Sequence, residues 1–109
     1  MSAGALHESL RQMIAVLQAE RQALAGLDLE GILGAAADKR ELCGRIDGSG
    51  MLDVDDECRA MLEAARRLNE VNRQIRNLIA ANVASRLDAL TGTPQLYKPA
   101  QPANYARLR

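Results

Sequence analysis

The chain of 109 residues is read as one domain, and its 48% hydrophobic and 26% charged residues exclude a wholly disordered chain. Its 14 basic and 14 acidic residues cancel, which removes the basic excess by which a general nucleic-acid binder releases counterions from phosphates. No apolar run approaches the roughly 18 residues that a membrane span needs, so membrane insertion is not expected. The segment Met1-Ser2-Ala3-Gly4-Ala5-Leu6-His7-Glu8 has no basic n-region and meets His7 and Glu8 early, unlike a secretory signal. A cytoplasmic location is the expectation.

Good helix formers dominate, and phenylalanine and tryptophan are absent. Leu6, Leu10, Met13 and Leu17 begin an apolar stripe that meets Glu20 and resumes at Leu24 and Leu27. Asp28 reads as the N-cap of the next segment, with Glu30 favouring its positive end. Between these helices, residues 25–29 allow either a tight turn or a kink. A second stripe runs through Ile32, Leu33, Ala36, Cys43 and Ile46, weakened by Gly31 and Gly34, each costing about 1 kcal/mol relative to alanine in a helix interior. Asp47-Gly48-Ser49-Gly50 reads as a loop.

From Val54 to Leu90 the pattern is one long amphipathic helix. Asp53 is its expected N-cap, and Asp55, Asp56 and Glu57 sit in the first turn, where the macrodipole favours acids. Core positions follow at Val54, Cys58, Met61, Ala65, Leu68, Asn72, Ile75 and Ile79, after which the spacing slips to Val83, Leu87 and Leu90. At about 1.5 Å per residue the helix spans roughly 55 Å. Val71, Ile75, Leu78 and Asn82 add a second flank, so the later part is wider in apolar coverage than one packing partner requires. Both earlier helices of the bundle, or a helix from another protein, would use that width. Thr91-Gly92-Thr93-Pro94 ends the helix, and the tail holds all three prolines and both aromatic residues, Tyr97 and Tyr105. The expected architecture is all-α: an antiparallel helical hairpin or three-helix bundle with one long C-terminal helix, over residues 1–92, followed by a flexible tail at 93–109.

Chemistry is hard to find in this pattern. Asp53-Val54-Asp55-Asp56-Glu57 fails the calcium-loop spacing, because the positions that need glycine and glutamate hold Cys58 and Ala64. His7 is the only histidine and reads as a surface residue near a fraying end, so no metal site is expected. Cys43 and Cys58 are neither CxxC nor beside a histidine cluster, and read as small apolar fillers. No glycine run forms a phosphate loop. The expectation is a protein without enzymatic activity or cofactors. Arg59, Arg66, Arg67, Arg73 and Arg76 alternate with Glu63 and Glu70, as on a solvated, ion-paired face. Asn69, Asn72, Asn77 and Asn82 are poor helix formers, and Asn72 and Asn82 lie on apolar faces. Such asparagines either fix register inside a bundle or hydrogen-bond a partner in a partly wet groove.

Glu20-Arg21-Gln22-Ala23-Leu24, then Asp28, then Lys39 with Leu42, resembles the glutamate–leucine–aspartate–lysine–leucine spacing of the FlgN family of flagellar type III export chaperones. The run from Asn69 to Ile79 resembles that family's asparagine-rich segment ending in Leu-Ile, and Leu96-Tyr97 resembles its tyrosine-bearing tail. The chain departs from the family pattern in its short length, in Leu29 where proline often follows the aspartate, and in a tail without glycine-rich continuation. The resemblance implies an all-helical cytoplasmic chaperone without ATPase activity. Its partners would be the C-terminal helical segments of hook-associated (hook–filament junction) proteins and the flagellar export gate with its ATPase complex. On that reading the partner-binding residues are Asn72, Ile75, Leu78, Ile79, Asn82, Val83, Leu87 and Leu90 for the client, and Tyr97 for the gate. A self-associating coiled-coil adaptor, with its spare apolar surface as a homodimer seam, is the alternative.

Overall fold

A computed structural model describes residues 3–48 and 54–92 of the chain, and all three of its elements are helices: α1 Ala3–Ala25, α2 Leu29–Gly48 and α3 Asp56–Thr91. Compactness divides the chain into two units after Ile75. The first holds α1, α2 and the start of α3 as an up-down-up bundle. Lys39 of α2 meets both Glu20 of α1 and Asn69 of α3, while Asn72 of α3 meets Leu17 of α1. The second unit, as far as residue 92, is the remainder of α3. The tail at 93–109, with Tyr97 and Tyr105, lies outside the described residues.

Leu6, Leu10, Met13 and Leu17 of α1 pack with Leu42 and Ile46 of α2 and with Cys58 and Ala65 of α3. The buried positions of α3 recur at a seven-residue spacing, Cys58, Ala65 and then Asn72, with Met61, Leu62 and Leu68 half-buried against the same core, which is filled without any aromatic ring. The expected stripe of α3 holds as far as Ile79, beyond which Val83, Leu87 and Leu90 are exposed, and that of α1 holds except at Leu27. Leu27 is 68% exposed, because it sits in the turn rather than on the helix. The stripe of α2 is displaced from the expected one. Ala35, Leu42 and Ile46 are buried, whereas Leu33 and Cys43 are exposed. Small apolar residues surround the first half of α2, and the buried face contains Lys39, whose charge hid its continuity.

The link between α1 and α2 is a tight turn. The Leu27 amide donates to the Leu24 carbonyl (3.2 Å) and the Asp28 amide to the Ala23 carbonyl (2.8 Å). This is a Schellman closure, with Leu27 at the left-handed position (φ 53°) that glycine ordinarily fills. Asp28 then caps α2 as expected: its Oδ1 accepts from the Gly31 amide (3.2 Å) and its carbonyl from the Ile32 amide (2.9 Å). Gly31 is needed there, since a Cβ would come within 2.6 Å of Asp28 Oδ2 and 3.0 Å of the Ala23 Cβ. At the far end of the hairpin, Asp47 and Gly48 belong to α2 rather than to a loop, and residues 49–53 lie outside the described residues. The long helix is capped by Asp55, not Asp53: Asp55 Oδ1 accepts from the Cys58 amide at 2.8 Å, and the Asp55 carbonyl accepts from the Arg59 amide at 3.0 Å. In a run of three near-consecutive aspartates the sequence does not say which one turns out of the helix. At its other end Gly92, with φ 67°, stops α3 where expected.

The glycine of the hairpin turn stands one position early. Leu27→Gly is expected to stabilise the fold by about 0.5–1 kcal/mol by relieving the left-handed leucine. Gly26→Ala, whose Cβ would meet only the Gln22 carbonyl at 3.6 Å, is expected to add about 0.4–1 kcal/mol through the unfolded state. Urea midpoints of the two variants check both, and a lower midpoint for Leu27→Gly would contradict the assignment of the turn.

Candidate functional site

Each of the three apolar stripes is interrupted by a polar residue, and the fold brings the interruptions together. Glu20 is 1% exposed, and Lys39 Nζ lies 3.1 Å from each of its carboxylate oxygens. Lys39 also donates to Asn69 Oδ1 at 3.0 Å. Asn72 is wholly buried, and its Nδ2 donates to Glu20 Oε1 (2.9 Å) and to the Leu17 carbonyl (2.9 Å). Both neighbours are acceptors, so the amide has one orientation, and Asn72 Oδ1 is left without a hydrogen-bond partner. That orphan costs about 1–3 kcal/mol, a cost the other bonds of the layer must offset. Asn72, expected on a partner-binding face, is buried between α3 and α1. Its amide holds α3 against α1, the register-fixing role open to a buried asparagine.

Six residues that carry the family resemblance have structural roles here. Glu20, Lys39, Asn69 and Asn72 form the polar layer, Asp28 caps α2, and Leu42 is core. Their spacing follows from the need to meet across three helices.

The other proposed partner residues lie further along α3. Ile75 and Ile79 are half-buried, and Asn82, Val83 and Leu87 are exposed. Leu78 and Leu90 are the most open, at 70% and 84%. At 3.6 residues per turn, Ile79, Val83, Leu87 and Leu90 fall within an arc of about 80°. Leu78 lies about 180° from Leu87, on the opposite side of the helix. The set is therefore spread over about half the helix circumference, with Ile75 and Asn82 between Leu78 and the Ile79 side. Beside them, Arg59, Arg67 and Arg73 are ion-paired to Asp56, Glu63 and Glu70, the solvated face expected from the sequence. The Arg73–Glu70 pair is the tightest, at 2.6 Å, and it pushes the Glu70 carboxyl down and the Arg73 guanidinium up from their ordinary values.

A second cluster is not visible in the sequence because His7 lies 48 residues or more from Asp55, Glu57 and Cys58. His7 is not a free surface residue: its Nε2 lies 3.1 Å from Asp55 Oδ2 and its Nδ1 lies 3.8 Å from Glu57 Oε1. Cys58, fully buried, completes a group in which one ligand atom each from His7, Asp55 and Cys58 lies within 4.8 Å of the others. The Cys58 amide and then His7 hold the Asp55 carboxyl down at about 2, so it is anionic at neutral pH. Burial, reinforced by the Asp55 carboxylate, pushes the Cys58 thiol up. A buried, protonated thiol is the opposite of an activated nucleophile. Cys43, the other free cysteine, is exposed, against the expectation of a filler.

Comparison with protein-family models, curated proteins and solved structures returns no match to this chain.

Lys39→Met would leave the buried Glu20 carboxylate without its cation, and is expected to cost about 3 kcal/mol in urea unfolding. The triple change Glu20→Leu, Lys39→Met, Asn72→Leu removes every member of the mismatch and is expected to return to within about 1 kcal/mol of the parent. A neutral Lys39→Met would show that the ion pair contributes nothing to the bundle.

Proposed function

We propose that the protein is an export chaperone of the flagellar type III type, holding the C-terminal helical segments of hook–filament junction proteins before their delivery to the export gate. The observation that carries the reading is the exposure of Val83, Leu87 and Leu90 on one side of a continuous helix, an apolar surface of the kind an amphipathic helix covers. The order of Glu20, Asp28, Lys39, Leu42 and the Asn69–Ile79 run, with its resemblance to the FlgN family, supplies the client class. On this reading the protein works by burial alone. A client's assembly helix exchanges contact with its own kind for contact with α3, and the exposed charged residues of α3 keep the complex from aggregating.

The angular arrangement sharpens the assignment. One docked helix covers the Ile79–Val83–Leu87–Leu90 face, and Leu78 lies outside that contact. Calorimetric titration with C-terminal segments of junction proteins, with the flagellin C-terminus as control, is the test. Saturable binding to the junction segments and none to flagellin is expected. Val83→Ala with Leu87→Ala is expected to weaken binding at least tenfold, since each truncation of a buried aliphatic contact removes about 1–2 kcal/mol. Leu78→Ala alone is expected to change it less than about threefold, a difference under about 0.7 kcal/mol at roughly 1.4 kcal/mol per decade. Equal losses at Leu78 and Leu87 would mean a client that embraces both sides. No binding, with a dimer that persists on dilution, would assign the face to a homodimer seam.

Tyr97 is given to the export-gate contact, because a large ring is an effective anchor for an otherwise modest interaction. Tyr97→Ala is expected to leave client affinity unchanged and to weaken capture by the gate and its ATPase complex. Loss of both in the same variant would give Tyr97 a structural role instead.

A further inference from the structure

We propose that His7, Asp55 and Cys58 form a binding site for a zinc-class divalent cation that fastens the start of α1 to the start of α3. The donor set is one imidazole nitrogen, one carboxylate oxygen and one sulfur. That combination suits zinc and its neighbours and disfavours magnesium and calcium, which take oxygen. A tetrahedral ion with bonds of about 2.0–2.3 Å sets its ligand atoms about 3.3–3.8 Å apart. The three atoms already lie within 4.8 Å of one another, and His7 Nε2 stands 3.1 Å from Asp55 Oδ2. Closing the widest edge takes about 1 Å, within the reach of side-chain rotation.

Three details fit an ion rather than a cap alone. Asp55 Oδ1 accepts from the Cys58 amide at 2.8 Å, and both Asp55 oxygens face His7 Nε2, at 3.2 and 3.1 Å, so Oδ2 can turn to a metal without loss of the helix cap. His7 directs Nε2 at the cluster and Nδ1 toward Glu57 Oε1, 3.8 Å away. At that distance the two are not hydrogen-bonded, and an approach of about 0.8 Å would give the carboxylate–histidine arrangement that orients metal-bound imidazoles, with Glu57 as a positioning residue. Cys58 is buried while Asp55 is exposed, so the ligands run from the core to the surface, and a water would serve as fourth ligand on the Asp55 side. On binding, the sulfur–metal bond forms as the Cys58 thiol releases its proton to solvent. His7 coordinates through Nε2 with its proton on Nδ1, and no electrons move.

The test is a titration of the full chain, reduced and stripped of metal by chelation, with Co²⁺ as the spectroscopic probe and Zn²⁺ as the competitor. One equivalent of Co²⁺ is expected to bring up the thiolate-to-cobalt charge-transfer band and visible d–d bands, with release of about one proton. Zn²⁺ is expected to erase both bands and to raise the melting temperature. His7→Gln, checked as folded by circular dichroism, is expected to weaken Co²⁺ at least about 100-fold, and Glu57→Gln about tenfold. Cys58→Ser is expected to remove the charge-transfer band, and Cys43→Ser to keep it. No such band at saturating Co²⁺ in the folded parent would overturn the site, as would a band lost with Cys43 or unaffected by His7→Gln. Should Cys58→Ser fail to fold, the His7 and Cys43 variants decide the matter.

Discussion

The bundle is organised around one buried charge. Glu20 has no access to solvent, and a carboxylate taken from water in that way is tolerated only if its oxygens are fully met. Lys39 supplies the countercharge from α2, and Asn72 supplies a neutral donor from α3. Each helix therefore has one position along its length at which the layer closes. A shift of α2 by one turn would separate the ion pair, and a shift of α3 would bury the carboxylate beside apolar side chains. Leucines and alanines alone would accept several registers, since their contacts are nearly interchangeable. The polar layer selects one at a cost in stability, of which the unpartnered Asn72 Oδ1 is the visible part.

That constraint also explains what the family resemblance consists of. Glu20, Asp28, Lys39, Leu42, Asn69 and Asn72 stand at their spacings because three helices must be turned, capped and locked together. They describe an architecture, and the architecture presents α3. The residues to which the proposed function gives the client, Val83, Leu87 and Leu90, are drawn from a different requirement. They are apolar and exposed. A resemblance in the first set and an uncovered face in the second are independent arguments, and the functional reading joins them.

The turn between α1 and α2 and the cap of α3 show how local chemistry is reused at a second level. Asp28 closes one helix and opens the next, so the hairpin needs only three residues between them. Asp55 caps α3 and also reaches His7, tying the helix that starts the bundle to the one that completes it. In both places a single carboxylate joins secondary structure to tertiary structure.

Helix content, the stripes of α1 and α3, the cap at Asp28, the end of α3 at Gly92 and the ion-paired arginine face were legible in the sequence. All depend on neighbours within a few residues, where periodicity and capping preferences act directly. The sequence also marked Glu20 and Asn72 as interruptions of apolar stripes, without saying what they meet. Tertiary structure alone decided that Lys39 lies on the buried face of α2, that Asn72 belongs to the interior, and that His7 stands beside Cys58. Those outcomes depend on which residues face each other across helices separated by tens of positions. The 3.6-residue period of a helix carries no information about that pairing.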